Sequence, residues 1–152
     1  MSVEPQLVGL LSGPNLDLLG ERQPELYGAA TLADHVAAAT AEAQRLGLAV
    51  EHHQSNHEGE LVELVHQARG RAAALIVNAG ALTHYSWSLH DALAAFDGPV
   101  VELHLTNPAA REAWRHLSVL APVAAGTIAG FGGLGYRLAV QAVAGLLAGW
   151  VS

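Results

Sequence analysis

Short apolar runs alternate along this chain with longer segments whose apolar residues recur at helical spacing. Leu7 to Leu11 reads as a first strand. Thr31 to Leu46 predicts a helix, because Thr31 with Asp34 has the form of a capping box and Gly47 supplies the stop. Leu48 to His53 predicts a second strand, and Gly59 to Ala68 a helix through Leu61, Leu64 and Val65. Ala73 to Val77 predicts a third strand, almost wholly apolar, as expected when both faces are covered. A helix from about Tyr85 to Phe96 and a fourth strand from Val100 to Leu105 follow. Asn107 and Pro108 predict another helix start, with Asn as N-cap and Pro in the first turn. A fifth strand near Val123 to Ile128 precedes a last helix from about Gly135 to Leu147.

Strands that alternate with helices predict an α/β fold, a single domain over residues 1–152. The expected architecture is a doubly wound parallel sheet of five strands in a flavodoxin-like order. Ligands of such sheets bind outside the carboxyl ends of the strands, near the point where strand order reverses. Asn15 after the first strand, Asn78 after the third and His104 at the end of the fourth all fit that rule.

Composition removes several chemistries. There is no cysteine, which excludes disulfide scaffolds, thiolate nucleophiles and Cys-based zinc sites. There is no lysine either: all seven basic residues are arginine, which excludes Schiff-base catalysis, a lysine-bound pyridoxal cofactor and a Walker lysine. A net charge of −7 argues against nucleic acid as a partner. An anionic small substrate then requires the few arginines to be concentrated at one place, and Arg22, Arg111 and Arg115 sit in motif-like stretches. No apolar run approaches the roughly 20 residues that span a bilayer, and the N-terminus lacks a signal-like pattern, so no membrane partner and a cytoplasmic location are expected.

Three stretches carry candidate chemistry. In GPNLDLLGERQPELYG (Gly13 to Gly28), Asn15, Arg22 and Tyr27 share a loop of about fifteen residues with no evident element, and loops of that length are usually functional or disordered. Tyr ordinarily loses its proton near pH ~10, and a fixed positive charge beside it favours the phenolate, so an Arg–Tyr pair proposes a base. Gly20, Pro24 and Gly28 are candidate hinges of a lid; an ordinary surface loop is the plainer reading. In VNAGALTHYSWSLHDA (Val77 to Ala92), Asn78 and Gly80 follow a strand, and His84 and Asp91 share a face if one helix includes both. They suit a polyol-like ligand, against the plainer reading of a helix-end histidine and a solvated carboxylate. In ELHLTNPAAREAWR (Glu102 to Arg115), Glu102 and His104 lie on one strand face as an acid–base pair. The backbone N–H groups from Leu105 through Thr106 to Asn107 could bind a carboxylate, and Arg111 and Arg115 are i, i+4 on one helical face. The plainer reading there is a buried, satisfied histidine and a solvated arginine face.

Two further patterns are set aside. Gly130 to Gly135 matches G-x-G-x-x-G, but a dinucleotide fingerprint also needs a following strand and an acidic residue ~20 positions on, which are not found before Ser152. These glycines are expected to let the last helix pack closely. His52, His53 and His57 lack zinc-ligand spacing, so no metal site is expected.

Taken together, GPNLDLLGERQPELYG, QSNHEGEL (Gln54 to Leu61), VNAGALTHYSWSLHDAL and PVVELHLTNPAAREAWRHLS closely resemble the type II 3-dehydroquinate dehydratases, in order, spacing and total length. The resemblance implies conversion of 3-dehydroquinate to 3-dehydroshikimate by loss of water through an enolate, with no cofactor. It implies that Tyr27 is the base with Arg22 lowering its pKa, that Asn15 steadies the enolate oxygen through an ordered water, and that His104, oriented by Glu102, protonates the leaving hydroxyl. Asn78, His84 and Arg115 match residues that position the substrate ring. Leu105 and Thr106 match the carboxylate site, Arg111 a further arginine near it, and Asp91 a carboxylate that reaches a neighbouring subunit's site. A flavodoxin-like homododecamer of four trimers is implied, in shikimate biosynthesis or quinate breakdown. Type I enzymes, which are unrelated, use a lysine Schiff base, a route closed to a chain without lysine.

The chain departs from the family pattern at Ser12 and Asp17, where Asn is usual, and at Glu21, His90 and Thr106. Glu21 could compete for Arg22. Two other function classes stay open on sequence: a binding protein that senses quinate-like acids without turnover, and a nucleotide-dependent oxidoreductase on the same fold.

Overall fold

The computed structural model describes residues 3–151; the terminal positions of the expected 1–152 domain lie outside that range. Among the described residues, five strands form one parallel sheet in the order β2-β1-β3-β4-β5. They are β1 (Gln6–Ser12), β2 (Leu48–Gln54), β3 (Ala74–Asn78), β4 (Val100–His104) and β5 (Gly126–Ala129). This is the flavodoxin-like order, and the chain reverses direction across the sheet between β1 and β3. The helices are α1 (Pro24–Tyr27), α2 (Leu32–Arg45), α3 (Glu58–Ala68), α4 (Trp87–Ala94) and α5 (Leu134–Leu147).

Alternation along the strands divides the core in two. Val8 and Leu10 of β1, Ile76 of β3 and Leu103 of β4 face α2 and α5, where they meet Ala39, Ala43, Tyr136 and Val140. Leu11, Leu75, Val77 and Val100 face α3 and α4, where they meet Leu61, Val65, Leu89 and Leu93. Helix α2 opens with the expected capping box: Asp34 N–H donates to Thr31 Oγ1 at 3.2 Å and Thr31 N–H to Asp34 Oδ2 at 2.9 Å. Those bonds from Thr31 hold the Asp34 carboxyl below its ordinary value.

Four expectations are corrected. The segment after Asn107 is two 3-10 turns, Pro108–Ala110 and Ala113–Arg115, rather than one helix. Arg111 is extended between them (φ −112°, ψ −161°), so Arg111 and Arg115 do not share a helical face. The fifth strand begins at Gly126, because Pro122 draws Ala121–Val123 into a 3-10 turn. Helix α4 starts at Trp87, N-capped by the Ser86 hydroxyl, which accepts from Leu89 N–H at 3.1 Å. His84 therefore belongs to a separate 3-10 turn, Gly80–His84, and not to the helix that carries Asp91. Finally, the Gly13–Gly28 loop is not featureless: it contains a 3-10 turn, Leu16–Leu18, and the single turn of α1.

The ends of β1 and β3 come into backbone contact at Gly13. Its N–H donates to the Asn78 carbonyl at 2.8 Å, and a Cβ there would lie 2.5 Å from the Ala79 carbonyl oxygen. Gly13→Ala must therefore push the two strand ends apart. A loss of about 1–3 kcal/mol in stability is expected, read as a lower denaturant midpoint.

Candidate active site

A cleft opens beyond the carboxyl ends of β1, β3 and β4, lined by Asn15, Arg22, Tyr27, Asn78, His84, His104, Leu105, Thr106, Arg111 and Arg115, with Pro14, Leu16, Gly80, Ala81 and Pro108 between them. The fold thus brings together nearly every residue singled out in the sequence. Glu102 lies behind His104 rather than on the wall. Asp91 stands outside, its exposed carboxylate 3.0 Å from His90 Nδ1.

Asn15 projects from a strained turn. It and Gln23 are the non-glycine residues with positive φ among the described residues, at 69° and 41°, and both lie in this loop. Asn tolerates the left-handed region better than most residues. The turn is braced from β2: Asn15 N–H donates to Asn56 Oδ1 at 2.9 Å, while Gln54 Nε2 donates to the same oxygen at 3.1 Å and to the Gly13 carbonyl at 3.2 Å. This gives the QSNHEGEL segment a local purpose that its sequence does not reveal.

Tyr27 packs against the core beside α2 and presents its hydroxyl to Arg111, whose Nη1 donates to the phenol oxygen at 2.9 Å. Arg22, the arginine nearer in sequence, lies over the ring face with Cζ 5.0 Å from the centroid, and Arg111 lies 5.4 Å from it. Two guanidinium groups thus flank one phenol. Arg111 also donates to Thr106 Oγ1 at 3.3 Å. Neither Arg22 nor Arg111 has an ion-pair partner among the described residues, so Glu21 does not take up the charge of Arg22. Arg115 does have a carboxylate, Glu112, and stacks 4.0 Å over Trp114.

His104 and Glu102, two apart on β4, meet with Nε2 2.5 Å from Oε2. Glu102 is only 2% exposed. Its carboxylate also accepts from Thr83 Oγ1 at 2.9 Å and from Ser118 Oγ at 2.9 Å. Burial by itself pushes the Glu102 carboxyl up, but His104 and the hydroxyls of Ser118 and Thr83 together outweigh it and hold the group below its ordinary value. An ionised Glu102 only accepts, so Nε2 carries the proton of that bond and Nδ1 is the nitrogen left for proton transfer. Thr83 and Ser118 were not singled out in the sequence; hydroxyls 19 and 16 residues from their target leave no periodic signal.

His84 stands beside this pair, its ring centroid 6.5 Å from that of His104. Its Nδ1 donates to the Leu117 carbonyl at 2.7 Å, which leaves Nε2 as an acceptor in the neutral ring. Burial, with the nearby charges of His104 and Arg115, pushes His84 down and favours that neutral form. Of the other histidines, His53 pairs with Glu51 and His52 bonds Ser12. The glycines Gly133 and Gly135 pack closely, as the sequence suggested: a Cβ would lie 2.5 Å from His35 Cε1 and 2.9 Å from Leu103 Cδ1, respectively.

With this geometry in view, comparison with known proteins is decisive. Residues 6–144 match the model of the family described as dehydroquinase class II. The chain belongs to that family. It is 52% identical to the 3-dehydroquinate dehydratase of Dinoroseobacter shibae, over 90% of this chain and 91% of that protein. It is 49% identical to catabolic 3-dehydroquinase 1 of Aspergillus terreus, over 92% of each chain. The crystal structure of the type II dehydroquinase from Propionibacterium acnes superposes with a TM-score of 0.89 at 38% identity, over 94% of this chain and 99% of that one. The fold is therefore shared by this chain and that dehydroquinase.

Removing the Ser118 hydroxyl tests the electrostatics. Because the folded-state pKa of Glu102 lies below its ordinary value, its ionised contacts stabilise the fold fully above that ordinary value, ~4.3, and are lost as pH falls through the folded one. Ser118→Ala is expected to cost about 1.5–3 kcal/mol at pH 7. Denaturant unfolding should show that cost shrinking below about pH 4.3, as the carboxylate is protonated.

Proposed function

We propose that this chain converts 3-dehydroquinate to 3-dehydroshikimate and water through an enolate. The observation that carries the reading is the pairing, in one cleft, of a phenol bonded to a guanidinium (Tyr27 to Arg111, 2.9 Å) with an imidazole backed by a buried carboxylate (His104 to Glu102, 2.5 Å). The names of the relatives support it independently.

In this reading Tyr27, as phenolate, removes a proton next to the substrate ketone. Arg111 and Arg22 supply the positive charge that a phenolate needs, the first at its oxygen and the second across its ring. The electron pair left behind becomes an enolate, which Asn15 steadies through an ordered water. His104 then gives a proton to the leaving hydroxyl, the carbon–oxygen bond breaks, the enolate pair forms the ring double bond, and water departs. Glu102 fixes the tautomer and orientation of His104 and stabilises its charged form. The neutral Nε2 of His84 accepts from a ring hydroxyl, with Asn78 and Arg115 as further ring contacts. Leu105 and Thr106 offer backbone N–H groups to the substrate carboxylate. The route asks for a base, a charge stabiliser and an acid, and for no cofactor.

Asp91 completes the site of a neighbouring subunit in a dodecamer of four trimers. Tyr85, Trp87 and Trp114 are exposed, and large apolar side chains of this kind are what such assembly covers. The loop from Gly13 to Gly28 acts as the lid, and the protein works in the cytoplasm. No helix among the described residues is long and apolar enough to cross a membrane.

Incubation with 3-dehydroquinate should produce the enone absorbance of the product, and no rise from folded protein would sink the proposal. Tyr27→Phe should bind substrate nearly as well while turnover falls at least about a hundredfold. Turnover at the parent rate would remove Tyr27 as the base.

A further inference from the structure

Glu102 is a nearly inaccessible carboxylate with no arginine beside it: among the described residues its one ion-pair partner is His104. The other side chains that reach it are neutral hydroxyls, Thr83 Oγ1 and Ser118 Oγ, and Thr83 is itself inaccessible to solvent. Backbone bonds bring their two segments together. Val119 N–H donates to the Thr83 carbonyl at 2.8 Å, and His84 Nδ1 donates to the Leu117 carbonyl at 2.7 Å. The chain is thus fastened to the end of the Gly80–His84 turn on both sides of Ser118, whatever side chain Ser118 carries.

Proton counting directs both hydroxyls at the carboxylate. Ser118 Oγ accepts from Leu120 N–H at 3.1 Å and from Ala121 N–H at 3.0 Å, which uses its two lone pairs. Its single proton goes to Glu102, whose oxygens both lie 2.9 Å away. Thr83 Oγ1 lies 3.3 Å from Ser118 Oγ, which has no lone pair left, and 2.9 Å from Glu102 Oε2, so its proton goes to the carboxylate too. Ser118 therefore grips both oxygens, while Oε2 also takes Thr83 and, at 2.5 Å, His104 Nε2. The neutrality of these donors matters. A guanidinium in their place would fix the carboxylate equally well but would offset the charge that an imidazolium draws on. Two hydroxyls fix its direction and leave its charge to His104.

We propose that Ser118 and Thr83 are positioning residues for proton delivery by His104: they hold the Glu102 carboxylate in one orientation, and Glu102 in turn holds the His104 ring with Nδ1 free for the leaving hydroxyl. The proposal rests on the reading of His104 as the acid. Without either hydroxyl the carboxylate turns about its last bond and the ring turns with it, so the proton arrives out of line. Substrate binding is spared, because the backbone bonds that seat His84 and the segment around Ser118 remain.

The test is steady-state kinetics with 3-dehydroquinate on the parent protein and three variants. Ser118→Ala should lower kcat about tenfold or more, with KM within about threefold of the parent. Thr83→Val keeps the shape, removes the hydroxyl and should lower kcat in the same sense, with KM again spared. Ser118→Thr keeps a hydroxyl and should hold kcat within about threefold of the parent. The proposal is overturned by a kcat in folded Ser118→Ala within about threefold of the parent, by a rise in KM in place of the fall in kcat, or by equal losses in the Ala and Thr variants. If Ser118→Ala does not fold, Thr83→Val decides by the same two parameters. An inactive parent protein would instead count against the dehydratase reading. Crystal structures of the parent and Ser118→Ala then decide the positioning claim: a Glu102 carboxylate and His104 ring turned in the variant support it, and unmoved ones refute it.

Discussion

A carboxylate buried at the end of a parallel sheet governs this molecule. Taking a charge out of water costs several kcal/mol unless it is paired and hydrogen-bonded. Glu102 meets that demand with an imidazole and two hydroxyls drawn from three separate segments. Its partners are therefore constrained in place. Thr83 must lie at the end of the Gly80–His84 turn, and Ser118 must stand where it also accepts from Leu120 and Ala121 N–H. Satisfying one charge thus ties the wall of the cleft to the sheet.

The rest of the cleft is organised by positive charge. The chain is acidic overall, yet three of its seven arginines converge on one cleft. Arg115 is neutralised in part by Glu112, whereas Arg22 and Arg111 address the aromatic ring and hydroxyl of Tyr27. The site is therefore polarised: a carboxylate-backed imidazole on one side and a guanidinium-flanked phenol on the other. That polarity suits a reaction that takes a proton at one point of a ring and returns one at another.

Much of this was legible in the linear chain. The apolar run of β3, the capping box at Thr31 and the helical period of α2 and α5 are local signals, and each survived folding because tertiary contacts reinforce it. Where a local signal competed with another constraint, it lost. Asn107-Pro108 does cap a turn, with Asn107 Oδ1 accepting from Ala109 N–H at 3.2 Å, but Arg111 leaves the helical path beside Tyr27 and Thr106. Pro122 likewise displaced the start of β5. The pairing of Arg111 with Tyr27 crosses 84 residues and could not be read from either motif.

The sequence by itself determined the alternation of strands and helices, the closure of lysine and cysteine chemistry, and the residue types available at the strand ends, because these depend on periodicity and inventory alone. Only the tertiary structure decided which arginine holds the phenol oxygen, which hydroxyls serve Glu102, and that Asn56 braces the turn of Asn15. Those choices are set by strand register and by the close approach of β1 and β3 at Gly13. Contacts that join distant segments are fixed by where the backbone carries them, and no local pattern encodes that position.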